Sequence, residues 1–288
     1  MWKAVYFKLK RKIPCLIAWL VVFCLLNFLF TNSKIVTAED TPSPKVAVII
    51  SNEIRPYVEA AEGFTEKLRD FAAVQISILY LNKYNQEPKS IVRNHVLGHS
   101  YDQILTIGPT ASRLMGAETV SSEIPLTYSI VLNPDKIPEI NASSCGISLN
   151  IPVRQQLSAI RQGFPEINKI GLLFDPANNS DFFNKLKNLE KFYDLNIVPL
   201  YVESKQDIPD LLKTHLNEVE ALWLIPDRTV ISESIVQYII KQGLLKNRPT
   251  IGYNKFFFDS GAALSFVFDY RALGAQAAEL IFDLLERG

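Results

Sequence analysis

Polar residues that could bind a small molecule occur at three similar places in the 288-residue sequence. In segments 104–114, 170–183 and 222–235, a run of apolar residues gives way to a short polar loop containing proline, and a stretch with helical periodicity follows. At the carboxyl end of a buried parallel strand, the first backbone amides of the next helix have no partner within that helix. Such amides, with nearby hydroxyl and carboxylate groups, can hold a small polar molecule. The three loops therefore predict one ligand-binding cleft.

The first half of the chain supplies hydroxyl, amide and aromatic groups at such strand ends. The turn that begins at Gly108 would let the backbone approach a ligand closely, and the Thr110 hydroxyl could join the following amides in binding a carboxylate. A tight turn with a helix cap explains the same residues equally well, and a tyrosine in this position is as often part of the core. The candidate ligand contacts are Ser51, Asn52, Tyr57, Gly108, Pro109, Thr110, Ala111, Tyr128, Ser129 and Asn133.

The second half of the chain adds two acids to the candidate site. Asp175 and Asp227 each follow an apolar run, and either carboxylate would suit the ammonium group of a ligand. Aspartate is also a common N-cap at the start of a helix, so capping remains an alternative role for both residues. The candidate ligand contacts of this half are Asp175, Asn179, Ser180, Asp227, Thr229 and Tyr253.

Common catalytic and metal-binding motifs are absent from the sequence. It contains no G-x-S-x-G elbow, no phosphate-binding loop and no G-x-G-x-x-G turn. His95 and His99 are four residues apart, but Gly98 indicates that the helix ends between them, and no third ligand accompanies them. We therefore predict a binding protein that is not an enzyme and that has no metal or cofactor. A small hydrolase or isomerase that uses Asp175 or Asp227 with a cleft tyrosine remains the enzymatic alternative.

Alternating strands and helices must position these loops. From residue 45 onward, short continuous runs of Val, Ile and Leu alternate with helical stretches, which is typical of parallel strands buried on both faces. The series ends near residue 149 and then starts again, so we predict an α/β fold with two open, parallel-sheet, Rossmann-like lobes. A polar residue and a proline within 150–152 indicate a hinge between lobe 1, which begins at 44, and lobe 2, which begins at 150.

The first 38 residues predict export. Residues 1–12 carry five basic residues and no acid, and segment 13–30 is almost wholly apolar. The length of this segment falls between that of a cleavable signal and that of a membrane span. We expect cleavage before Glu39, because small residues stand at the positions that the peptidase reads. We expect no lipid anchor at Cys24, because bulky residues precede it. A periplasmic protein tethered to the inner membrane by 13–30 remains the alternative.

Charge and cysteine content narrow the class of partner. Six of the 30 basic residues and none of the 30 acidic residues lie in 1–38, which leaves 24 bases against 30 acids and a formal charge of −6. Nucleic acid is excluded as a partner, since its phosphates require clustered Lys and Arg. Cys145 is the only cysteine beyond residue 38, so no internal disulfide can form after cleavage. We expect a monomer that is stabilised by its hydrophobic core.

Several motifs, taken in order, resemble one protein family. They are TIGPTA at 106–111, NP at 133–134, IGLLFDP at 170–176, PDRTV at 226–230, GAAL at 261–264 and DYRALGAQAAE at 269–279. Together they resemble the ABC-transporter substrate-binding protein family, which has the type 1 periplasmic-binding-protein fold, over residues 45–288. The resemblance implies a receptor outside the cytoplasm that closes on a small solute, for some relatives an amino acid. It also implies delivery of this solute to a membrane permease that a separate ATPase drives.

The same resemblance has consequences for the lobes and the site. It implies that the last helix, within 268–288, returns to lobe 1 and that lobe 2 ends at 267. It places ligand contacts at the loops already chosen, namely Ser51, Asn52, the turn 108–111, Asn133, the loop 175–180 and Asp227. This chain has Gly-Pro-Thr at 108–110 where relatives have Gly-Thr-Pro, so we expect a different donor geometry in that turn. Relatives continue past 288 into another strand that crosses back to lobe 2, so we expect one hinge crossing fewer in this chain or a fragment. A membrane-tethered sensor of a signalling system remains the alternative function.

Overall fold

The structure, a computed structural model, describes residues 43–84, 90, 93–119, 124–140 and 144–287. The predicted signal or anchor at 1–38 lies outside these residues. Within the described ranges, no helix is both long enough and apolar enough to cross a membrane. The chain from Pro44 onward folds into two parallel sheets with helices packed on their faces, which confirms the α/β fold predicted from the sequence.

The first sheet contains five parallel strands in the order β2-β1-β3-β4-β5. Its central strands are continuous apolar runs that are buried along nearly their whole length, because helices cover both faces. The order reverses between β1 and β3, and the loops that leave such a point diverge and open a crevice. The strands are β1 (Lys45–Ile50), β2 (Gln75–Tyr80), β3 (Gln103–Ile107), β4 (Leu126–Val131) and β5 (Cys145–Ser148).

The second sheet repeats this arrangement. Its five parallel strands lie in the order β10-β9-β8-β6-β7, so the order reverses between β6 and β8. Strand β7 contains Pro199, which an edge strand tolerates because one side of it needs no ladder hydrogen bonds. The strands are β6 (Lys169–Phe174), β7 (Asn196–Tyr201), β8 (Ala221–Leu224), β9 (Thr250–Gly252) and β10 (Leu264–Ser265).

The helices begin where the sequence provides starting signals. Proline stands in the first turn at Pro56 and Pro176, and the side chain of Asp175 accepts the N–H of Ala177 as an N-cap. The described α-helices are α1 (Arg55–Phe71), α2 (Pro109–Thr119), α3 (Val153–Gly163), α4 (Pro176–Lys187), α5 (Ile208–His215), α6 (Glu233–Leu245), α7 (Lys255–Asp259) and α8 (Tyr270–Arg287).

Helix α8 packs on the first sheet although it follows the last strand of the second. Ala277, Ala278 and Ile281 of α8 belong to the same core cluster as β1 and β3, and the helix lies beside α1. The close approach depends on glycine: a Cβ at Gly274 would lie 1.9 Å from the carbonyl oxygen of Ala60, and one at Gly63 would lie 2.1 Å from that of Arg271.

The chain therefore passes twice between the sheets, at 149–152 and at 266–269. We call the first sheet with α1, α2 and α8 the first lobe. The second sheet with α3 to α7 is the second lobe. Each lobe has buried apolar clusters on the faces of its sheet, so each has a core of its own.

Candidate functional site

A cleft of about 1270 Å³ lies between the two lobes. Its walls consist of residues that follow β1, β4, β5, β8, β9 and β10, together with residues of β4, α1, α3, α4 and α8. Both passages of the chain between the lobes also line it. The loops at the carboxyl ends of two parallel sheets thus face one crevice, which is the usual place for a ligand in such folds.

Aromatic rings form much of the cleft wall; they belong to Tyr57, Phe182, Tyr253, Phe266, Phe268 and Tyr270. Burial raises the pKa of Tyr57, Tyr253 and Tyr270 above its usual value, and the nearby Tyr270 phenol adds to the rise for the other two. Glu59 adds to the rise in the pKa of Tyr270. The three phenols are therefore neutral at physiological pH and can donate hydrogen bonds to a ligand.

Amide side chains and charged side chains also line the cleft, between these aromatic rings. Amide side chains are supplied by Asn133, Asn150, Gln156, Asn178, Asn179, Asn188 and Asn254. Charged side chains are supplied by Asp135, Lys136, Arg154, Asp181 and Lys185. The cleft therefore combines apolar rings with donors, acceptors and charges of both signs, which suits a small molecule that is itself part apolar and part polar.

The Gly108 turn lies behind Tyr57 and does not itself line the cleft. Gly108 has φ of +88°, and a Cβ there would lie 2.7 Å from Cζ of Tyr57 and 2.8 Å from Oγ of Ser51. The buried Ser51 hydroxyl accepts the N–H of Ala111 at 2.9 Å. Glycine is thus required at this position because φ is positive and because there is no room for a Cβ. The turn packs against the Tyr57 ring on the side away from the cleft.

The Asp227 carboxylate holds a network in the second lobe. The residue is buried, with 2% of its surface exposed. Its Oδ2 accepts hydrogen bonds from the N–H of Asp175 at 2.8 Å and from Nδ2 of Asn179 at 2.7 Å. Its Oδ1 accepts hydrogen bonds from the N–H of Thr229 at 2.8 Å and from the N–H of Val230 at 3.2 Å. The carboxylate therefore accepts four hydrogen bonds within the protein. One of them orients the side chain of Asn179, which lines the cleft.

Asp175 has a similar internal role. Its Oδ1 accepts the N–H of Ala177, and its Oδ2 accepts Nδ2 of Asn178 at 3.0 Å and the hydroxyl of Thr229 at 2.7 Å. Helix α4 then departs from helical geometry at Asn179, where φ is −132° and ψ is 17°. The two acids and the kink together place Asn178 and Asn179 on the cleft wall.

A strained residue lies in the opposite wall. Ile130 lines the cleft and adopts φ of +57°, a left-handed conformation that is unfavourable for a β-branched residue. The register between β4 and β5 shifts between Ser129 and Val131, so Ile130 is the extra residue of a β-bulge. Such strain, of order 1–3 kcal/mol, is typically found at functional sites.

Comparison with known proteins identifies the family. The model of the ABC transporter substrate binding protein family matches residues 45–287. The chain belongs to this family. Proteins of the family lie outside the cytoplasm and bind a small-molecule solute for an ABC transporter, and they are typically not enzymes. No curated protein matches the chain.

Solved structures of binding proteins are similar to this substrate-binding protein in fold. A ligand-free, open substrate-binding protein with adhesive properties from Clostridium difficile is 17% identical, with a TM-score of 0.70 and coverage of 84% of this chain and 85% of that one. A periplasmic ribose ABC transporter protein from Conexibacter woesei is 10% identical, with a TM-score of 0.58 and coverage of 84% and 86%. An ABC domain from Streptococcus pneumoniae in complex with L-Trp is 17% identical, with a TM-score of 0.56 and coverage of 85% and 86%.

The residues predicted from the sequence of this substrate-binding protein fall into two groups. Those that line the cleft are Tyr57, Asn133, Asn179 and Tyr253. Those that lie outside its lining are Ser51, Asn52, Gly108, Pro109, Thr110, Ala111, Tyr128, Ser129, Asp175, Ser180, Asp227 and Thr229. Among the second group, the Thr110 side chain is exposed, and the Ser180 hydroxyl donates to the carbonyl oxygen of Pro176. Their role as ligand contacts stays a prediction.

Sequence reasoning missed several residues of the cleft in this substrate-binding protein. Arg154 and Gln156 follow the first passage between the lobes, and Phe266, Phe268 and Tyr270 accompany the second. Segment 150–152 was predicted as a hinge, but a hinge between two lobes also forms the floor of the space between them. The rings at 266, 268 and 270, spaced by two residues after a short strand, are the signal in the sequence that could have found this wall.

The two histidines of the sequence motif, His95 and His99, do not line the cleft. The side chains of both residues are exposed. Among the described residues, no group of three or more His, Cys, Asp or Glu side chains is placed to hold a metal ion.

Proposed function

We propose that this protein is the extracytoplasmic receptor of an ABC import system and that it captures an amino acid with an aromatic ring between its two lobes. The cleft between the carboxyl ends of the two sheets, lined by six aromatic rings, carries this proposal. The similarity to a protein solved with L-Trp agrees with a ring-bearing ligand.

The polar groups of the cleft suit the other end of such a ligand. A free amino acid carries a carboxylate and an ammonium group, and the cleft offers basic side chains, including Arg154, and acidic side chains, including Asp181. Among the described residues, neither Arg154 nor Asp181 has an ion-pair partner in the protein. Amide groups such as that of Asn179 add donors and acceptors that fix the orientation of the ligand.

The predicted site residues divide accordingly into two roles. Tyr57, Asn133, Asn179 and Tyr253 would contact the ligand directly, because they line the cleft. Ser51 and Gly108 would act through the Tyr57 ring, and Asp175, Asp227 and Thr229 through the Asn178–Asn179 segment. Both acids already accept internal hydrogen bonds, which favours a receptor over a hydrolase or isomerase that would use one of them as a base.

Binding would act through closure of the lobes. The passages at 149–152 and 266–269 are short connections, so a division into lobe 1 (44–149 with 268–288) and lobe 2 (150–267) gives two bodies that can rotate about them. A ligand that contacts both Tyr57 and Tyr253 stabilises the closed form only by contacts made there, and a permease could then distinguish loaded receptor from empty receptor. Export through residues 1–38, with cleavage before Glu39, would place a monomeric receptor in the periplasm.

Titration calorimetry with the twenty common amino acids tests this function. The purified protein from residue 39 onward should release or absorb heat with a subset that includes aromatic members such as L-tryptophan, with one molecule bound per chain. Binding of only aliphatic or charged amino acids would refute the ligand class. Absence of binding to every amino acid, together with a high-affinity response to a sugar panel, would refute the amino-acid receptor altogether.

A further inference from the structure

Lys136 makes a direct hydrogen bond from the first lobe to the second. It ends the 3₁₀ turn Pro134–Lys136 that follows β4, and its Nζ donates to the carbonyl oxygen of Asn178 at 2.9 Å. Asn178 lies in the first turn of α4, which belongs to the second lobe. Both residues line the cleft, so this bond joins its two walls.

The donor is anchored to the passage between the lobes. Asn133 adopts a left-handed conformation with φ of +50°, and its N–H donates to Oδ1 of Asn150 at 3.0 Å. The N–H of Lys136 in turn donates to the carbonyl oxygen of Asn133 at 2.9 Å. The backbone from which the Lys136 side chain extends is therefore fixed to segment 149–152, which would move least if the lobes rotated about it.

The acceptor is anchored to the second lobe. Nδ2 of Asn178 donates to Oδ2 of Asp175, and the N–H of Asn178 donates to the carbonyl oxygen of Asp175, each at 3.0 Å. The following residue, Asn179, is held by the buried carboxylate of Asp227. The Asn178 carbonyl therefore moves with the second lobe, and a rotation that carries it away from the turn Pro134–Lys136 lengthens or breaks the bond to Lys136.

We propose that Lys136 is a positioning residue of the cleft, which holds the two lobes at the separation seen in this structure through the Asn178 carbonyl. This inference rests on the proposed function only in that the separation of the lobes serves to capture a solute. An exposed hydrogen bond from a charged group contributes modestly, so its loss lowers the ratio of molecules with this separation to molecules with a wider one roughly two- to five-fold. The apparent affinity for a ligand that requires this separation falls by up to the same factor.

The separation of the lobes in the ligand-free protein tests the proposal without any ligand. Spin labels are attached to the protein from residue 39 onward at two exposed positions, through Arg69→Cys in the first lobe and Lys213→Cys in the second. Cys145→Ser removes the one other cysteine of this form. Lys136→Met should increase the population at the longer distance roughly two- to five-fold, and Lys136→Arg, which retains a charged donor, should restore most of the parent distribution.

The matched control is Lys185→Met, which removes another exposed lysine from the cleft wall without removing a described hydrogen bond. It should leave the distance distribution unchanged. If Lys136→Met also leaves it unchanged, or if Lys185→Met changes it equally, the proposal is refuted. Because Lys136 is exposed, its variants should fold as the parent does, and an unchanged circular dichroism spectrum checks this.

Titration calorimetry with L-tryptophan as the probe gives a second readout that separates this proposal from the proposed function. Lys136→Met should weaken binding roughly two- to five-fold, because fewer molecules keep the separation that the ligand requires, and Lys136→Arg should bind nearly as the parent does. An affinity of Lys136→Met equal to that of a parent that binds would contradict the proposal. A parent protein that does not bind L-tryptophan would count against the ligand class, whereas the distance measurement would still decide the role of Lys136.

Discussion

Asp227 illustrates how a single residue can matter for a ligand without touching it. Its carboxylate accepts four hydrogen bonds, three from backbone amides and one from the Asn179 side chain. A side chain without the carboxylate would leave these donors unpaired in a buried place, where each costs free energy. The residue therefore stabilises both the second lobe and the orientation of one amide in the cleft wall.

We predict that Asp227→Ala lowers the free energy of unfolding by roughly 2–4 kcal/mol, since it leaves several buried donors without an acceptor. Urea unfolding followed by circular dichroism measures the change. Asp181→Ala is the matched control, because it removes an exposed aspartate of the same cleft and should change stability by no more than about 0.5 kcal/mol. Equal stability of Asp227→Ala and the parent would contradict the network.

The cleft tyrosines predict an effect of alkaline pH. Burial raises the pKa of Tyr57, Tyr253 and Tyr270, so the folded state retains these protons more strongly than the unfolded state does. Their contribution to stability is therefore fully present below the unfolded pKa of about 10 and is lost as pH rises through the folded values.

Urea unfolding at a series of pH values above neutrality checks this prediction. The stability of the parent should fall as pH rises beyond about 10, and it should fall less in the triple variant Tyr57→Phe, Tyr253→Phe, Tyr270→Phe. An ultraviolet titration of the folded parent should show tyrosines that lose their protons only at high pH, and these should be missing from the same titration of the triple variant. Identical pH profiles for parent and variant would show that these phenols are not the perturbed ones.

At the scale of the elements, the contact between α1 and α8 ties the end of the chain to the first lobe. We predict that Gly274→Ala lowers the free energy of unfolding by roughly 1–3 kcal/mol, because the new Cβ would lie 1.9 Å from a backbone oxygen of α1 and would force the helices apart. Thermal unfolding measures the loss.

Gly163→Ala provides the control for this substitution. A Cβ there would meet only the end of the Leu264 side chain, at 2.9 Å, and a flexible side chain can move aside. The change should therefore stay within about 1 kcal/mol, since the gain in helix propensity offsets the small rearrangement. Equal losses at both glycines would mean that helix contact does not explain the effect.

Much of this arrangement of elements could be predicted from the sequence. Buried parallel strands must be apolar on both faces, and runs such as KVAVII and KIGLLF therefore stand out from amphipathic helices. The ends of the elements are harder to predict, because the helical stretch that follows β6 is divided in the structure into α4 (Pro176–Lys187) and a separate 3₁₀ turn at Glu190–Tyr193. Proline in the first turn and the Asp175 cap begin α4 earlier than its apolar pattern does.

The details of the site were less predictable, because they depend on contacts that are distant in sequence. Asp227 follows a strand as a ligand-binding acid would, but its partner Asp175 is 52 residues away, and only the fold brings that amide to its carboxylate. Ile130 is the opposite case. Its branched side chain favours an ordinary strand, and tertiary packing nevertheless holds it in a left-handed bulge.

At the scale of the whole molecule, the two lobes have the same strand order, and both present their strand ends to one cleft. This arrangement puts Tyr57 and Tyr253, which belong to different lobes, beside the same space. Under the proposed closure of the lobes, a solute that contacts both would stabilise the closed form over the open form, and it would stabilise the folded state because it does not bind the unfolded chain.

The most direct test of this account is calorimetric titration of L-tryptophan into the parent and into two asparagine variants of α4. Asn179→Ala removes an amide that lines the cleft, whereas Asn184→Ala removes an exposed amide of the same helix outside the cleft lining. We predict that Asn179→Ala weakens binding roughly ten-fold, the loss of about one good hydrogen bond, and that Asn184→Ala binds as the parent does. Equal affinities for all three proteins would contradict a ligand site in the cleft between the lobes.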